Sequence, residues 1–237
     1  MTKQEKIKFA QSSVSASWSC QEDLFTKREN IFIETEQVFF EIVTFGCNAV
    51  IRADKKIYDW CIKKFSNTPF DEIMDGENLH IIECKMREHG KRLAGEHLRF
   101  LRLDTDVSIS KPYGFTFELY EREQILELYQ DNRFENALNY HAKGEMLAIV
   151  AKADNDIAAI AAADDYQRGF CEIGIDTLYP YRGKGLAAYL VKEMALECEK
   201  RKAVPYYTTW SANIASMRTA LSAGFQPVWL VYFAEDM

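Results

Sequence analysis

A strand-like segment at 172–177, EIGIDT, leads through a short glycine-bearing turn into a long helical pattern. Gly183 and Gly185 lack side chains, so the backbone of the turn can approach a ligand closely. The first turn of the following helix offers amide hydrogens that have no partner within the helix. Together with Arg182 and Lys184, these donors favour a phosphate group. The segment therefore predicts a pyrophosphate site, although such a turn also occurs as an ordinary loop.

Two common phosphate-binding motifs do not fit this turn. A P-loop requires GxxxxGK[ST], but Leu178 stands where its first glycine belongs, and Gly185 is followed by Leu186. The dinucleotide motif GxGxxG also fails, because Gly183 and Gly185 are followed by Ala188 at the third position. Neither class of nucleotide-binding fold is indicated.

The rest of the chain alternates between strand and helix patterns. Strands are predicted at 38–45, 48–53, 97–103, 115–120, 146–152, 156–162, 171–177, 204–210 and 227–233, and helices at 54–65, 77–89, 121–139, 185–202 and 213–223. Folded structure is expected from about residue 30, since the preceding residues are polar, and these residues are expected to lie at the periphery of the fold. A domain boundary is predicted near residue 112, where Pro and Gly interrupt the pattern.

Composition favours a globular protein that binds neither nucleic acid nor membrane. Hydrophobic residues make up 48% of the chain, and 36 acidic residues exceed 29 basic ones, so phosphate backbones find no broad basic face. No apolar run is long enough to span a bilayer or to act as a signal peptide, so we expect a cytoplasmic protein. The six cysteines form no CxxC pair and the four histidines no HExxH motif, which predicts reduced thiols and no metal.

The glycine turn resembles the acetyl-CoA loop of the GNAT superfamily of acetyltransferases. The motif of Arg or Gln, two residues, Gly, one residue, and Gly or Ala is matched by Arg182, Gly185 and Ala187. The segment 205–225, PYYTTWSANIASMRTALSAGF, resembles the fifth strand of that superfamily and the helix that follows it. The segments FFEIVTFGCNAVIRA and SAGFQPVW resemble a bacterial group with an extra N-terminal domain.

This resemblance implies an α/β (α+β) fold and a cofactor site. A smaller α/β domain over 1–112 would precede a GNAT-like mixed sheet flanked by helices over 113–237. Loop amides would bind the pyrophosphate of acetyl-CoA, and strand backbone its pantetheine arm. The implied cofactor contacts are Ile175, Thr177, Arg182, Gly183, Lys184, Gly185, Leu186, Ala187, Asn213 and Ser216. Asn213 and Ser216 have an alternative role in capping the later helix.

The implied reaction is direct transfer of an acetyl group to an amine, for which the amine must lose a proton. Glu172 and Asp176 are the candidate bases, because the strand period of two places them on one face. One could act as base while the other holds a cationic substrate, although both are also compatible with solvated surface carboxylates. Asp164 and Asp165, expected in the preceding loop, are reserves.

The usual proton donor of the superfamily is missing, because Ala220 stands where a Tyr is common, four residues before the Gly of a Gly-Phe pair. Tyr181, Tyr207 or Ser216 could replace it, or the thiolate could leave unaided. Cys171 could carry a covalent acetyl group, but no His neighbours it in sequence.

The sequence leaves two alternatives to a small-molecule N-acetyltransferase. The first is an acyl-CoA-binding or sensory module without transferase activity, which Ala220 supports. The second is a transferase that modifies a protein, with the N-terminal half as an interaction domain and an open acceptor cleft. An oligomer is compatible with either.

Overall fold

The computed structural model describes residues 1–138, 144–154, 156–165 and 169–237, with only the backbone at Asp165. The helices are α1 (Lys3–Trp18), α2 (Tyr58–Phe65), α3 (Phe70–Ile73), α4 (Gly76–Arg87), α5 (Arg122–Leu128), α6 (Leu186–Lys200) and α7 (Ile214–Ser222). The strands are β1 (Ile31–Glu34), β2 (Phe40–Thr44), β3 (Val50–Ala53), β4 (Lys91–Arg102), β5 (Thr116–Glu121), β6 (Glu145–Ala153), β7 (Asp156–Asp165), β8 (Phe170–Thr177), β9 (Val204–Trp210) and β10 (Phe225–Asp236).

The chain divides into two compact units, one made of 3–99 with 227–237 and the other of 100–226. The first unit is not a continuous N-terminal stretch, because it includes most of the last strand. The predicted boundary near residue 112 lies inside the second unit. The observed fold is of the mixed α/β class in both units.

In the first unit the strand order is β1-β3-β2-β10-β4. The hairpin predicted around Gly46 is confirmed, since β2 and β3 pair antiparallel from Phe40 with Ala53 to Val43 with Val50. Strand β1 is parallel to β3, and β10 is antiparallel to β2. The core of this unit is apolar, with Phe40, Ile51 and Phe65 fully buried.

Ordered structure begins earlier than the expected residue 30. Helix α1 buries Ala10 and most of Trp18, whose ring lies 6.0 Å from that of Phe25. Phe25 in turn packs 5.1 Å from the ring of Phe45 on the hairpin. The serine-rich sequence of this helix has little amphipathic pattern, so periodicity gives no signal for it.

In the second unit the strand order is β9-β8-β7-β6-β5. Strands β5 to β8 pair antiparallel, and β8 is parallel to β9. Helix α6 packs against β7 and β8, and its residues Leu190 and Met194 are fully buried. The helix predicted over 121–139 ends at Leu128; a 3-10 turn follows at Asn132–Phe134, and its predicted last residue lies outside the described residues. All nine predicted strands coincide with observed ones.

The reactivity of the cysteines tests which parts of the chain are buried. Cys61, Cys171 and Cys198 are buried, whereas Cys47 and Cys84 are exposed. Burial raises the pKa of the Cys61 thiol to about 12, and the hydrogen bond between Cys171 and Cys198, together with burial, raises that of Cys198. A thiolate attacks a disulfide reagent and releases its chromogenic thiolate, so a thiol must be accessible and able to lose its proton. Cys47 and Cys84 should therefore react first with a chromogenic disulfide in native protein. The three buried thiols should react only after denaturation.

The matched control for this titration is the double variant C47S/C84S, which should lose the fast phase. A fast reaction of the buried thiols in native protein would contradict the packing described here.

Candidate functional site

A cavity of about 1090 Å³ lies within the second unit, where strands β8 and β9 meet the start of helix α6. Its walls include the glycine turn, the start of helix α7 and the segment 135–137. The elements that the sequence singled out for chemistry therefore surround one space.

Strands β8 and β9 separate beside this cavity. They pair only where residues 170–172 meet 204–206, although β8 continues to Thr177 and β9 to Trp210. Beyond these pairs, β8 keeps its antiparallel partner β7 on its other edge. Two parallel strands that diverge in this way leave a backbone edge open to a ligand.

Two hydrogen bonds fix which backbone groups of β8 face this opening. The carbonyl of Gly169 accepts from β9 at 2.8 Å, and the N–H of Leu178 donates to β7 at 2.9 Å. Backbone groups alternate in direction along a strand, so odd-numbered residues face β9 and even-numbered residues face β7. The backbone groups of Ile175 and Thr177 therefore point into the opening.

The glycine turn has the backbone geometry of an anion loop. Gly183 and Gly185 have φ values of 74° and 80°, in the left-handed region that glycine adopts without strain. Gly185 is the N-cap of α6 and has no side chain that could accept a hydrogen bond from the first amides of the helix. The amides of Leu186, Ala187 and Ala188 therefore have no partner inside the helix. All three residues line the cavity.

The two basic residues of the turn have different surroundings. Arg182 lines the cavity, and its Nε donates to the carbonyl of Thr177 at 3.0 Å. The Nζ of Lys184 lies 5.8 Å from the ring of Phe115 and 5.5 Å from that of Tyr181. Arg182 is therefore the basic residue of the turn that lines the cavity, and Lys184 is not part of the wall.

Helix α7 brings the predicted polar residues Asn213 and Ser216 to the cavity wall. Asn213 caps this helix, because its Oδ1 accepts from the N–H of Ser216 at 3.1 Å. The Ser216 hydroxyl lies 2.8 Å from that of Tyr207, which is 2% exposed. Burial, with a contribution from the charge of Asp176, raises the pKa of Tyr207. The Tyr207 hydroxyl therefore stays protonated near neutral pH.

Three carboxylates lie side by side across neighbouring strands. Glu145 of β6 is paired with Asp164 of β7, and Asp164 with Glu172 of β8, and all three line the cavity. Asp164 was expected in a loop, but β7 continues to Asp165, whose side chain lies outside the described residues. The placement of both aspartates in a loop is thus wrong, because the strand extends further than its apolar residues.

Sequence reasoning missed Glu145, which is 3% exposed. Its carboxylate accepts a hydrogen bond from the hydroxyl of Tyr129. Burial and this bond raise the pKa of Tyr129, so it remains a donor. The only available signal was an acidic residue at the start of an apolar strand.

Asp176, the second predicted base, is engaged by protein groups. Its carboxylate accepts hydrogen bonds from the backbone and side-chain amides of Asn136, both at 2.8 Å, and from the N–H of Ala137 at 2.9 Å. Both carboxylate oxygens are thus used within the protein.

Metal-binding side chains and membrane-spanning helices are two further features that bear on the class of protein. Within the ranges that the structure covers, no group of three or more His, Cys, Asp or Glu side chains is arranged to hold a metal, and the metal-free site stays a prediction. No helix in the described part of the chain combines the length and apolarity that a bilayer crossing requires.

The family model described as GNAT acetyltransferase matches residues 55–229. The chain therefore belongs to the GNAT acetyltransferase family, an acetyl-CoA-binding family, and the resemblance inferred from the turn is confirmed. Among curated proteins, none matches this sequence.

Solved structures that match this chain include a GNAT acetyltransferase from Colwellia psychrerythraea, with 15% identity and a TM-score of 0.47 over 61% of this chain and 57% of that one. A GCN5-related N-acetyltransferase-like protein from Streptococcus suis has 17% identity and a TM-score of 0.47, over 68% and 69% of the two chains. The Salmonella typhimurium protein yncA, determined with its cofactor acetyl-CoA, has 15% identity and a TM-score of 0.40, over 52% and 94%. The chain thus spans little more than half of the first of these proteins.

Proposed function

We propose that this protein transfers the acetyl group of acetyl-CoA directly to the amine of a small molecule. The observation that carries the proposal is that one cavity joins the amides at the start of α6 to the carboxylate of Glu172. An anion site and a candidate base that line one space are what an acetyl transfer from acetyl-CoA to an amine requires.

The residues of the cavity fit acetyl-CoA, which supplies an acetyl group activated as a thioester. The backbone of Ile175 and Thr177 would pair with the amide groups of the pantetheine arm, since it faces the opening between β8 and β9. Asn213 and Ser216 would lie beside it. The pyrophosphate would be held by the amides of Gly183, Lys184, Gly185, Leu186 and Ala187, with the charge of Arg182 nearby.

Glu172 would act as the general base. An alkyl ammonium has a pKa near 10.4, so it must lose a proton before its nitrogen can attack a carbonyl. Glu172 would accept that proton, directly or through water. Asp164 and Glu145 lie beside it on the sheet and make this part of the cavity lining acidic. Such a field favours an acceptor that carries positive charge.

Tyr207 and Ser216 would assist the departure of the thiolate. Their hydroxyls are hydrogen-bonded to each other and both residues line the cavity. A protonated phenol can donate to a developing negative charge on sulfur and so stabilise it. This pair would replace the tyrosine that is absent at Ala220, which is fully buried in α7.

A module that binds an acyl-CoA without transferring the acyl group is the second candidate, and Ala220 is the observation that favours it. Thermal unfolding with acetyl-CoA, CoA and ATP tests the cofactor site, because a ligand at about 100 times its Kd adds about 2.7 kcal/mol of stability. We expect acetyl-CoA and CoA, but not ATP, to raise the midpoint.

Turnover separates the two candidates. Release of CoA thiol from acetyl-CoA should depend on added 1,4-diaminobutane, and should be slower with n-butylamine, which carries one charge fewer. A rise in midpoint without turnover on any primary amine would favour the binding module. No rise with either CoA compound would exclude both.

A further inference from the structure

A short segment of backbone lies directly on strand β8 inside the cavity. A β-carbon at Gly174 would lie 2.2 Å from the carbonyl oxygen of Asn136 and 3.0 Å from the Cα of Ala137. Real side chains do not tolerate such distances, so only glycine lets Asn136 and Ala137 approach the strand this closely. The same two residues line the cavity, as does Glu135 before them.

Asp176 holds the segment 136–137 in place through hydrogen bonds. Three N–H groups of Asn136 and Ala137 donate to its carboxylate, at 2.8 to 2.9 Å. Hydrogen bonds to an ionised carboxylate are stronger than those between neutral groups. Side chains two residues apart on a strand share a face, so Asp176, Gly174 and Glu172 follow one another along it. The segment 136–137 therefore crosses β8 at Gly174, between the carboxylates of Glu172 and Asp176, the two candidate bases.

We propose that Asp176 is a positioning residue, which fixes Asn136 and Ala137 as the wall of the acceptor part of the cavity beside Glu172. This inference rests on the proposed function, and it gives Asp176 a role other than that of base or cation holder. The acceptor it implies is a small cationic amine, held between this wall and the carboxylates of Glu145, Asp164 and Glu172.

The wall is assigned to the acceptor part of the cavity because the backbone groups proposed to contact the cofactor lie elsewhere. The backbone groups of β8 that face the opening are those of the odd-numbered residues Ile175 and Thr177, whereas Gly174 and Asp176 direct theirs to β7. The amides for the pyrophosphate are at the start of α6. Loosening the wall should therefore weaken amine binding and leave CoA binding intact.

The test compares Asp176→Asn with Glu197→Gln, a matched control on α6 whose carboxylate accepts from Lys200 and Arg201 away from the cavity. The amide group of an asparagine would face the N–H donors of the wall and would lose at least one of the bonds. Hydrogen exchange at the amides of Asn136 and Ala137 should accelerate at least tenfold in Asp176→Asn and not in the control.

Amine binding is measured by thermal unfolding, independently of turnover. In saturating CoA, 1,4-diaminobutane should raise the unfolding midpoint of the native protein further, and Asp176→Asn should lose most of that increment while keeping the CoA increment. The KM for the diamine should rise about tenfold with kcat changed less than threefold. Gly174→Ala, which pushes the wall outward, should have the same effect.

Unchanged exchange and an unchanged diamine increment in Asp176→Asn would overturn the proposal, as would equal loss of the CoA and diamine increments. Absence of a diamine increment in the native protein would also overturn it. A diamine increment that Asp176→Asn abolishes, without acetyl transfer by the native protein, would support the wall and reject the transferase.

Discussion

Replacing Glu172 with glutamine should lower kcat for acetyl transfer to 1,4-diaminobutane by about 10²–10⁴-fold, the usual loss when a general base is removed. Glutamine keeps the size and polarity of the side chain at this position in β8 but cannot take a proton. The binding of acetyl-CoA, measured by thermal unfolding, should be unchanged, since the side chain does not contribute to the anion loop. The effect would therefore lie in the chemical step.

The loss should depend on pH in a direction that identifies the missing base. Below its pKa of about 10.4, the neutral fraction of an alkyl amine rises about tenfold per pH unit. The rate of Glu172→Gln should therefore rise more steeply with pH than that of the native enzyme. Initial rates between pH 6.5 and 9.5 measure this difference.

The matched control is Glu118→Gln, an exposed carboxylate on β5 that pairs with Lys152 at 2.8 Å and does not line the cavity. It should retain kcat within about twofold, as expected of a surface ion pair. If Glu172→Gln also retained its kcat, Glu172 would not be the base, and Asp164 or Glu145 would be tested next.

Replacing Gly185 with valine should abolish the stabilisation by acetyl-CoA and CoA, which is about 2.7 kcal/mol at 100 times the Kd for the native protein. Gly185 has a φ of 80° and lines the cavity, and its missing β-carbon leaves the amides of α6 accessible. A branched side chain there would both strain the turn and occupy the space of the phosphates. Calorimetry with and without CoA measures the two effects separately.

Gly114→Val provides the control for strain alone. Gly114 also lies in the second unit with a φ of 84° and open space at its β-carbon, but it is not part of the cavity wall. Both variants should lose about 1–3 kcal/mol of stability, because each forces a branched residue into the left-handed region. Only Gly185→Val should lose the response to CoA. An equal response in both variants would contradict a phosphate site at this turn.

Some elements of this protein follow from the local sequence, and others do not. The strand at 171–177, the glycine turn and the helix at 185–202 were predicted, because each follows from neighbours within a few residues, whereas the left-handed φ values of Gly183 and Gly185 were not. Helix α1 was missed, since its polar sequence lacks an apolar stripe. Glu145 was missed because its role depends on a partner strand, β7, and not on its own neighbours.

The sequence by itself determined the local chemistry of this protein: an open turn, helix amides without partners and a strand that carries Glu172 and Asp176 on one face. These features depend on backbone geometry and on periods of two and 3.6 residues, which adjacent residues define. Only the tertiary structure decided that Asp176 accepts hydrogen bonds from a segment 40 residues earlier in the chain. The same holds for the alignment of Glu172 with Asp164 and Glu145, because strand register arises from packing between distant segments.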